Sequence, residues 1–246
     1  MLPAPQQPPR IQTLIVTGQN RHDWRATTPV LRKILEDTGR FEVRVVEEFR
    51  GAGAETLAPY DLVVLNYDDK NKPELRWGDR ANAALLDFVR GGKGVVVYHF
   101  ATAAFVGWEE YEKMSGGNWR PDHGHHSARH DFTVQMRDRE HPITRGLPEK
   151  MPQPNDELYA NLQWQPAGTF HVLATAWDDH SLYKNPKQPT PGPGLDQPML
   201  WVVPYGKGRV FVDALGHDPA AMQSELFVKT LARGAEWAAT GAVTLP

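Results

Sequence analysis

The chain has 246 residues, of which 40% are hydrophobic and 23% are charged, and its formal net charge is −3. These values fit a single α/β domain with a sizeable core, and they lack the basic footprint of a nucleic-acid-binding protein. The absence of cysteine excludes disulfides, thiolate metal ligands and a cysteine nucleophile, and no apolar stretch is long enough for membrane insertion.

The first ten residues differ in composition from the rest of the chain. They include four prolines and lack the apolar core of a signal peptide. We therefore predict a disordered leader over residues 1–10 and one domain over residues 11–246. The sequence leaves the compartment open between the cytoplasm and, if a signal peptide was removed, the periplasm.

The first half of the chain alternates predicted strands with predicted helices. Apolar runs rich in branched residues predict strands over residues 11–16, 41–46, 60–66 and 94–99. Helical spacing predicts a helix that opens at Thr28-Pro29 and ends at Gly39, and a second over residues 79–89. This alternation is typical of a doubly wound, mostly parallel sheet.

The second half is less regular. Strands are predicted over residues 132–136 and 170–174, and a loop over residues 185–197. A late antiparallel hairpin joins residues 199–203 to residues 209–214, and helical spacing over residues 227–239 predicts a closing helix.

Polar and aromatic residues follow the predicted strands, where open parallel sheets bind ligands. His99 ends the fourth strand, as in a nucleophile elbow, and imidazole there would act as a base, an acid or a metal ligand, or would only cap the turn. His217 follows the late hairpin with the same alternatives. The predicted substrate-binding residues at these strand ends and beside the carboxylates below are His22, Asp23, Trp24, Asn66, Tyr67 and Tyr159.

Asp156 and Glu157 are paired carboxylates beside the aromatic ring of Tyr159. Two carboxylates can share acid and base roles or bind a metal. The alternative is acidic charge at a helix N-terminus, which the helix dipole favours. We predict a catalytic role for both.

Five of the ten histidines fall within residues 123–141. Imidazole titrates near neutral pH and is the commonest metal ligand, so the window predicts acid–base or metal chemistry; the alternative is an exposed polar loop. His141 precedes a proline and fits a structural turn. The other four are His123, His125, His126 and His130.

An ordered set of short motifs resembles the trehalose-utilisation, or ThuA-like, family over residues 11–240. The resemblance implies a flavodoxin-like sheet of the class I glutamine amidotransferase type. True amidotransferases carry a cysteine at the elbow where this chain has Tyr98-His99-Phe100, so glutaminase activity is excluded. Within residues 122–129, a family role transfers only to His126. The motifs are Asn20-Arg21-His22-Asp23-Trp24, Gly91-Gly92-Lys93-Gly94, His141-Pro142-Ile143-Thr144, Asp156-Glu157-Leu158-Tyr159 and Leu215-Gly216-His217-Asp218.

The resemblance implies a carbohydrate-active enzyme for a disaccharide or glycoside, including 3-keto sugars. We expect a lyase, hydrolase or isomerase with acid–base chemistry at His99, His217 and the two carboxylates. Histidine ligands suit a divalent Zn, Mn, Co or Ni ion, for which His126, His99 and His217 are the predicted ligands, and no nucleotide cofactor is expected. The alternatives are a non-catalytic sugar-binding or accessory protein and a serine hydrolase, although Ser115 and Ser127 are not at an elbow. The expected partner is a small-molecule sugar, and the sequence does not decide whether the protein forms a homo-oligomer.

Overall fold

The structure, a computed structural model, describes residues 9–183 and 194–246. Within these residues, helices cover both faces of a nine-stranded sheet. The strands are β1 Ile11–Val16, β2 Phe41–Val46, β3 Leu62–Leu65, β4 Gly94–Tyr98, β5 Gly117–Asn118, β6 His125–His126, β7 His130–Met136, β8 Lys150–Asp156, β9 Tyr159–Ala160, β10 Gln163–Trp164, β11 His171–Asp178, β12 Leu195–Tyr205 and β13 Gly208–Asp213. The α-helices are α1 Trp24–Asp37, α2 Ala54–Leu57, α3 Asp79–Arg90, α4 Glu109–Ser115 and α5 Glu225–Thr240.

The strand order of the large sheet is β2-β1-β3-β4-β13-β12-β11-β7-β8. The five strands from β2 to β13 are parallel to one another, and the remaining pairs are antiparallel. This order confirms the predicted single-domain, doubly wound fold with its late hairpin, β12–β13. The antiparallel part extends beyond that hairpin to include β11, β7 and β8.

Two apolar cores hold the sheet between its helices. The helices α1 and α5 pack on one face, and α2, α3 and α4 pack on the other. Alternate residues of β4 serve the two cores, because Val96 faces α1 and α5 whereas Val95 and Val97 face the opposite layer. Each fully buried aliphatic side chain of this kind contributes about 1.5–3 kcal/mol, which fixes the strands whose ends carry the site.

Several predicted elements differ from the structure. Helix α1 begins at Trp24 rather than Thr28, because the Asp23 carboxylate caps it by accepting a hydrogen bond from the Ala26 N–H at 3.1 Å. Leu195 begins β12, so the loop predicted over residues 185–197 is wrong at its end, and its earlier part reaches outside the described residues. Strand β8 was not predicted.

The parallel strands β1, β3, β4 and β13 end at the same edge of the sheet. The segment after β8 reaches this edge as well, because Asp156 at its end is hydrogen-bonded to the backbone of Gly216 and His217. Side chains that follow β1, β4, β8 and β13 therefore meet there. In the two described ranges, no helix has both the length and the apolar character needed to cross a bilayer.

Candidate active site

His99 occupies a strained turn at the end of β4. Its φ is +46°, in the left-handed region that residues other than glycine seldom adopt. The ring is buried, and its Nδ1 donates a hydrogen bond to the carbonyl oxygen of Ala214 at 2.8 Å. Because a carbonyl oxygen only accepts, this bond places the proton on Nδ1 and leaves the lone pair on Nε2.

Four side chains converge beside this turn, and we call them the histidine–glutamate centre: His22, His99, Glu157 and His217. One ligand atom from each lies within 4.8 Å of the others. The Glu157 Oε2 atom is 3.0 Å from His217 Nδ1, 3.4 Å from His22 Nε2 and 3.7 Å from His99 Nε2. The three histidines follow β1, β4 and β13, and the glutamate follows β8, so the topology of the sheet assembles the centre.

The charges of the centre depend on one another. Burial would raise the pKa of Glu157, but the neighbouring imidazoles of His217, His22 and His99 outweigh burial and hold that pKa well below its usual range. Burial, together with the neighbouring imidazoles of His99 and His217, lowers the pKa of His22 to about 4. The adjacent Glu157 carboxylate raises the pKa of His217. At neutral pH, Glu157 is therefore ionised and His22 is neutral, which are the forms that bind metal ions.

The spacing within the centre could hold one divalent cation. Ligands 2.0–2.2 Å from a tetrahedral metal lie about 3.4 Å from one another, close to the distances measured from Glu157. The Nδ1 atoms of His22 and His217 are buried without a hydrogen-bond partner in the described residues. His217 Nδ1 lies only 3.0 Å from Glu157 Oε2, yet the two atoms do not have the geometry of a hydrogen bond. Two ligand atoms of the same cation also lie close together without a hydrogen bond between them.

Tyr159 forms one wall of the centre. Its hydroxyl donates a hydrogen bond to His99 Nε2 at 2.7 Å, and its ring stacks on the His99 ring with centroids 4.4 Å apart. Burial, followed by the negative charge of Glu157, raises the pKa of Tyr159 well above its usual value. This side chain therefore stays protonated and serves as a hydrogen-bond donor.

The two carboxylates of the predicted pair, Asp156 and Glu157, have different contacts. The Asp156 side chain is fully buried and accepts hydrogen bonds from the backbone N–H groups of Gly216, at 2.7 Å, and His217, at 2.9 Å. It also accepts from the N–H of Glu157 at 2.8 Å. Asp156 thus joins the two segments that carry Glu157 and His217, and of the two carboxylates it is Glu157 that lies against the imidazole rings of the centre.

The histidine window contributes one side chain to the mouth of the centre. His126 Nδ1 donates to the carbonyl oxygen of Ser127 at 2.7 Å and lies 3.4 Å from Glu157 Oε1. Its neighbour in β6, His125, points the other way and pairs with Asp178 Oδ2 at 3.3 Å, because successive residues of a strand face opposite sides. Of the predicted metal ligands, His99 and His217 belong to the four-residue centre, and His126 lies beside it.

The other window histidines have contacts elsewhere. His130 is 3.0 Å from the Ser127 hydroxyl, and the His141 ring packs on Trp237 with centroids 5.0 Å apart. The Arg120 N–H donates to the carbonyl oxygen of His123, and the reciprocal bond is also present. These contacts stabilise turns.

Four predicted substrate-binding residues support the site from a distance. Asp23 caps α1, and Trp24 is buried at its first position. The Asn66 amide donates to the hydroxyls of Thr27 and Thr28 at 3.0 Å. The Tyr67 hydroxyl donates to the carbonyl oxygen of Leu75. Across the described ranges, no hydrogen bond or ion pair joins these four side chains to the centre.

Sequence reasoning missed one aromatic residue beside the centre. The Phe100 ring lies 4.6 Å from the His22 ring and 5.7 Å from the Trp119 ring, measured between centroids. Phe100 directly follows His99 at the elbow, and this position in the sequence could have predicted that Phe100 lies beside the centre.

The chain matches the family model described as trehalose utilisation, ThuA, over residues 12–238. A ThuA-like protein from Parabacteroides merdae is 33% identical, with a TM-score of 0.83 and coverage of 97% of this chain and 93% of that chain. A ThuA-like protein from Bacteroides uniformis is 19% identical, with a TM-score of 0.68 and coverage of 98% and 96%. A β-galactosidase from Rahnella sp. R3 shares the fold at 14% identity and a TM-score of 0.55, over 93% of this chain and 31% of that one. No curated protein sequence matches the chain.

Proposed function

Because the chain belongs to the trehalose-utilisation (ThuA) family, a family of carbohydrate metabolism, we propose that it is an enzyme that acts on a disaccharide or glycoside. The histidine–glutamate centre is the proposed catalytic site. One observation carries the proposal: three imidazoles and one carboxylate from four separate segments meet with their ligand atoms within 4.8 Å. A fold does not gather buried titratable groups in this way without cost, so such clusters mark functional sites.

The donor set fits a divalent metal ion. Imidazole and carboxylate ligands suit Zn, Mn, Co or Ni, and His22, His99, Glu157 and His217 would hold the ion. When bound, the ion would polarise a carbonyl or hydroxyl oxygen of the sugar as a Lewis acid. The Ala214 carbonyl oxygen fixes the His99 ring with Nε2 as the ligand atom, as the outer partners of metal-bound histidines do.

A 3-keto sugar is the proposed substrate, because the keto group acidifies the neighbouring C2–H bond. A base takes the C2 proton, the electron pair forms a C1–C2 double bond, and the C1–O bond breaks. The leaving oxygen then takes a proton and departs as an alcohol. Together these bond changes are an elimination, and the reaction needs no oxidant or reductant.

His126 is suited to take the C2 proton in this reaction, and Tyr159 is suited to donate a hydrogen bond to the oxygen on which negative charge develops. The His126 Nδ1–H donates to Ser127, which leaves Nε2 with a lone pair for a base at the mouth of the centre. The Tyr159 hydroxyl donates to the lone pair of His99 Nε2 at 2.7 Å, and a metal ion held by Nε2 would need that same lone pair. In the metal-loaded site the protonated Tyr159 hydroxyl would therefore be free to donate a hydrogen bond to a developing oxyanion.

The test is turnover of 3-ketotrehalose by the purified full chain, with trehalose as the comparison. We expect loss of 3-ketotrehalose with release of glucose, abolished by a metal chelator and by His99→Gln. His171→Gln is the matched control, since the His171 imidazole pairs with Asp138 at 2.7 Å and contacts no residue of the centre in the described part of the chain. A His99→Gln variant with full turnover overturns the proposal, and sugar binding without turnover identifies a non-catalytic sugar-binding protein.

A further inference from the structure

A small crevice lies near the histidine–glutamate centre, since Arg21 in its lining directly precedes His22. Its lining includes Arg21, Asn71, Trp119 and Arg120, and its volume is about 100 Å³. Pockets that hold a whole ligand measure about 300 Å³ or more. The crevice is therefore too small for a complete ligand and suits one part of a ligand whose other part lies elsewhere.

Phe100 connects this crevice to the centre. The Phe100 ring contacts the His22 ring, with centroids 4.6 Å apart, and the Arg21 guanidinium carbon lies 5.6 Å from the Phe100 ring centroid. Trp119 is also shared, since its ring is 5.1 Å from that of Tyr159, a wall of the centre. Phe100 and Trp119 therefore contact both the lining of the crevice and the residues around the centre.

The charges of the crevice are already compensated. The Arg21 Nε atom is 3.4 Å from Oδ2 of the buried Asp68, and the Arg120 Nε atom is 2.6 Å from Glu112 Oε1. This pairing disfavours an anionic ligand such as a sugar phosphate, which needs uncompensated cations. The remaining groups are a guanidinium edge, an amide and an indole, and they suit neutral hydroxyls and the apolar face of a sugar ring.

We propose that this crevice is a second sugar subsite, which binds the leaving-group ring of a two-ring glycoside while the other ring occupies the centre. The inference rests on the proposed function, because it assumes a sugar at the centre. It goes beyond that function by assigning the second ring a location and by requiring that ring to be uncharged. Arg21 would hold its hydroxyls through the planar guanidinium, and Trp119 would pack against the ring and donate its indole N–H to a hydroxyl.

The test uses sugars without a keto group, which cannot undergo the proposed elimination. Calorimetry on the full chain compares trehalose, methyl α-D-glucoside and trehalose 6-phosphate. We expect trehalose to bind about tenfold more tightly than methyl α-D-glucoside, which corresponds to about 1.4 kcal/mol, and trehalose 6-phosphate to bind no more tightly than trehalose.

Two variants locate the preference in the crevice. Arg21→Lys keeps the charge beside Asp68 but removes the planar fork, and Trp119→Phe keeps an aromatic ring but removes the indole N–H. Each should reduce the preference for trehalose to less than about threefold, or about 0.7 kcal/mol. The matched controls are Arg44→Lys and Trp177→Phe, whose side chains are exposed away from the crevice, and they should keep the preference.

Several results would overturn this assignment. They are equal affinity for trehalose and methyl α-D-glucoside, no binding of trehalose, an unchanged preference in both crevice variants, or tighter binding of trehalose 6-phosphate. Failure of 3-ketotrehalose turnover would count against the proposed reaction and not against the subsite, so the two failures are distinguishable.

Discussion

The buried carboxylate of Asp156 accepts a hydrogen bond from the backbone N–H of His217 at 2.9 Å. The two residues are 61 positions apart in the sequence, and their contact joins the end of β8 to the segment after β13. Since Glu157 follows directly on Asp156, this bond also sets how the Glu157 carboxylate meets the His217 imidazole. Asp156 is therefore a positioning residue for the centre.

Replacing Asp156 with asparagine should loosen the centre. Both carboxylate oxygens accept from N–H groups, so an amide NH2 would face donors and lose their hydrogen bonds. We expect Asp156→Asn to lower the free energy of unfolding by about 2–4 kcal/mol and the metal affinity about 10–100-fold. Chemical denaturation and metal titration measure these effects. Asp37→Asn, at an exposed position, is the control and should change stability by less than about 0.5 kcal/mol; equal behaviour of the two variants would contradict the role of Asp156.

Loss of either imidazole ligand should weaken metal binding more than loss of a supporting residue does. We expect His22→Gln and His217→Gln each to reduce Zn²⁺ affinity by more than about 100-fold, beyond the effect of changing outer partners. Competition with a chromophoric chelator measures the affinity, and His171→Gln should keep it. Wild-type affinity in both ligand variants would show that the metal, if bound, lies elsewhere.

Tyr159→Phe should separate catalysis from metal binding. The variant keeps the ring stacked on His99 but removes the hydroxyl that donates to Nε2, so metal affinity should not fall. Turnover should drop about 10²-fold, the effect of removing one donor to a developing oxyanion. Tyr205→Phe, which removes a hydroxyl bonded to Glu110 at the surface, is the control. Lower metal affinity in Tyr159→Phe, or turnover that stays at the wild-type level, would contradict this assignment.

Asp213 should make stability depend on pH. Burial raises the pKa of Asp213 from 3.8 to about 8, so between these values the folded state holds a proton that the unfolded state releases. The stability contributed by the protonated form is fully present below about pH 4 and is lost as the pH rises towards 8. In the wild type, Asp213 Oδ1 accepts a hydrogen bond from the Leu215 N–H at 3.0 Å, and Asp213 Oδ2 lies 3.2 Å from Thr230 Oγ1. The amide of Asp213→Asn has the shape and the neutral charge of the protonated carboxyl group, so the variant mimics that form.

Urea denaturation of the wild type and of Asp213→Asn from pH 4 to pH 8 measures this effect. The variant should gain stability relative to the wild type as the pH rises, because it has no carboxyl group to ionise. A stability difference that stays constant over this range would show that Asp213 titrates near its ordinary value.

The parallel half of the sheet and the locations of His99 and His217 followed from local sequence. Short branched runs define β1, β3 and β4, and in a parallel sheet the residues that follow such strands share one edge. The elbow at His99 was visible as the end of an apolar run before small residues.

The composition of the centre did not follow from local sequence. Which of Asp156 and Glu157 faces the histidines depends on hydrogen bonds from Gly216 and His217, which are about sixty residues away. His22 was predicted to bind substrate, and its contact with Glu157 depends on how the segment after β8 crosses the sheet edge. Contacts between distant segments of this kind have no periodic signal in a single sequence.

The proposed catalytic role requires that His22, His99, Glu157 and His217 hold one divalent metal ion. A crystal structure with anomalous diffraction data at the metal's absorption edge, from protein with measured turnover of 3-ketotrehalose, tests it most directly. We expect one anomalous peak among the four side chains, about 2.0–2.2 Å from each ligand atom. Fully active protein with no peak at this position would contradict it.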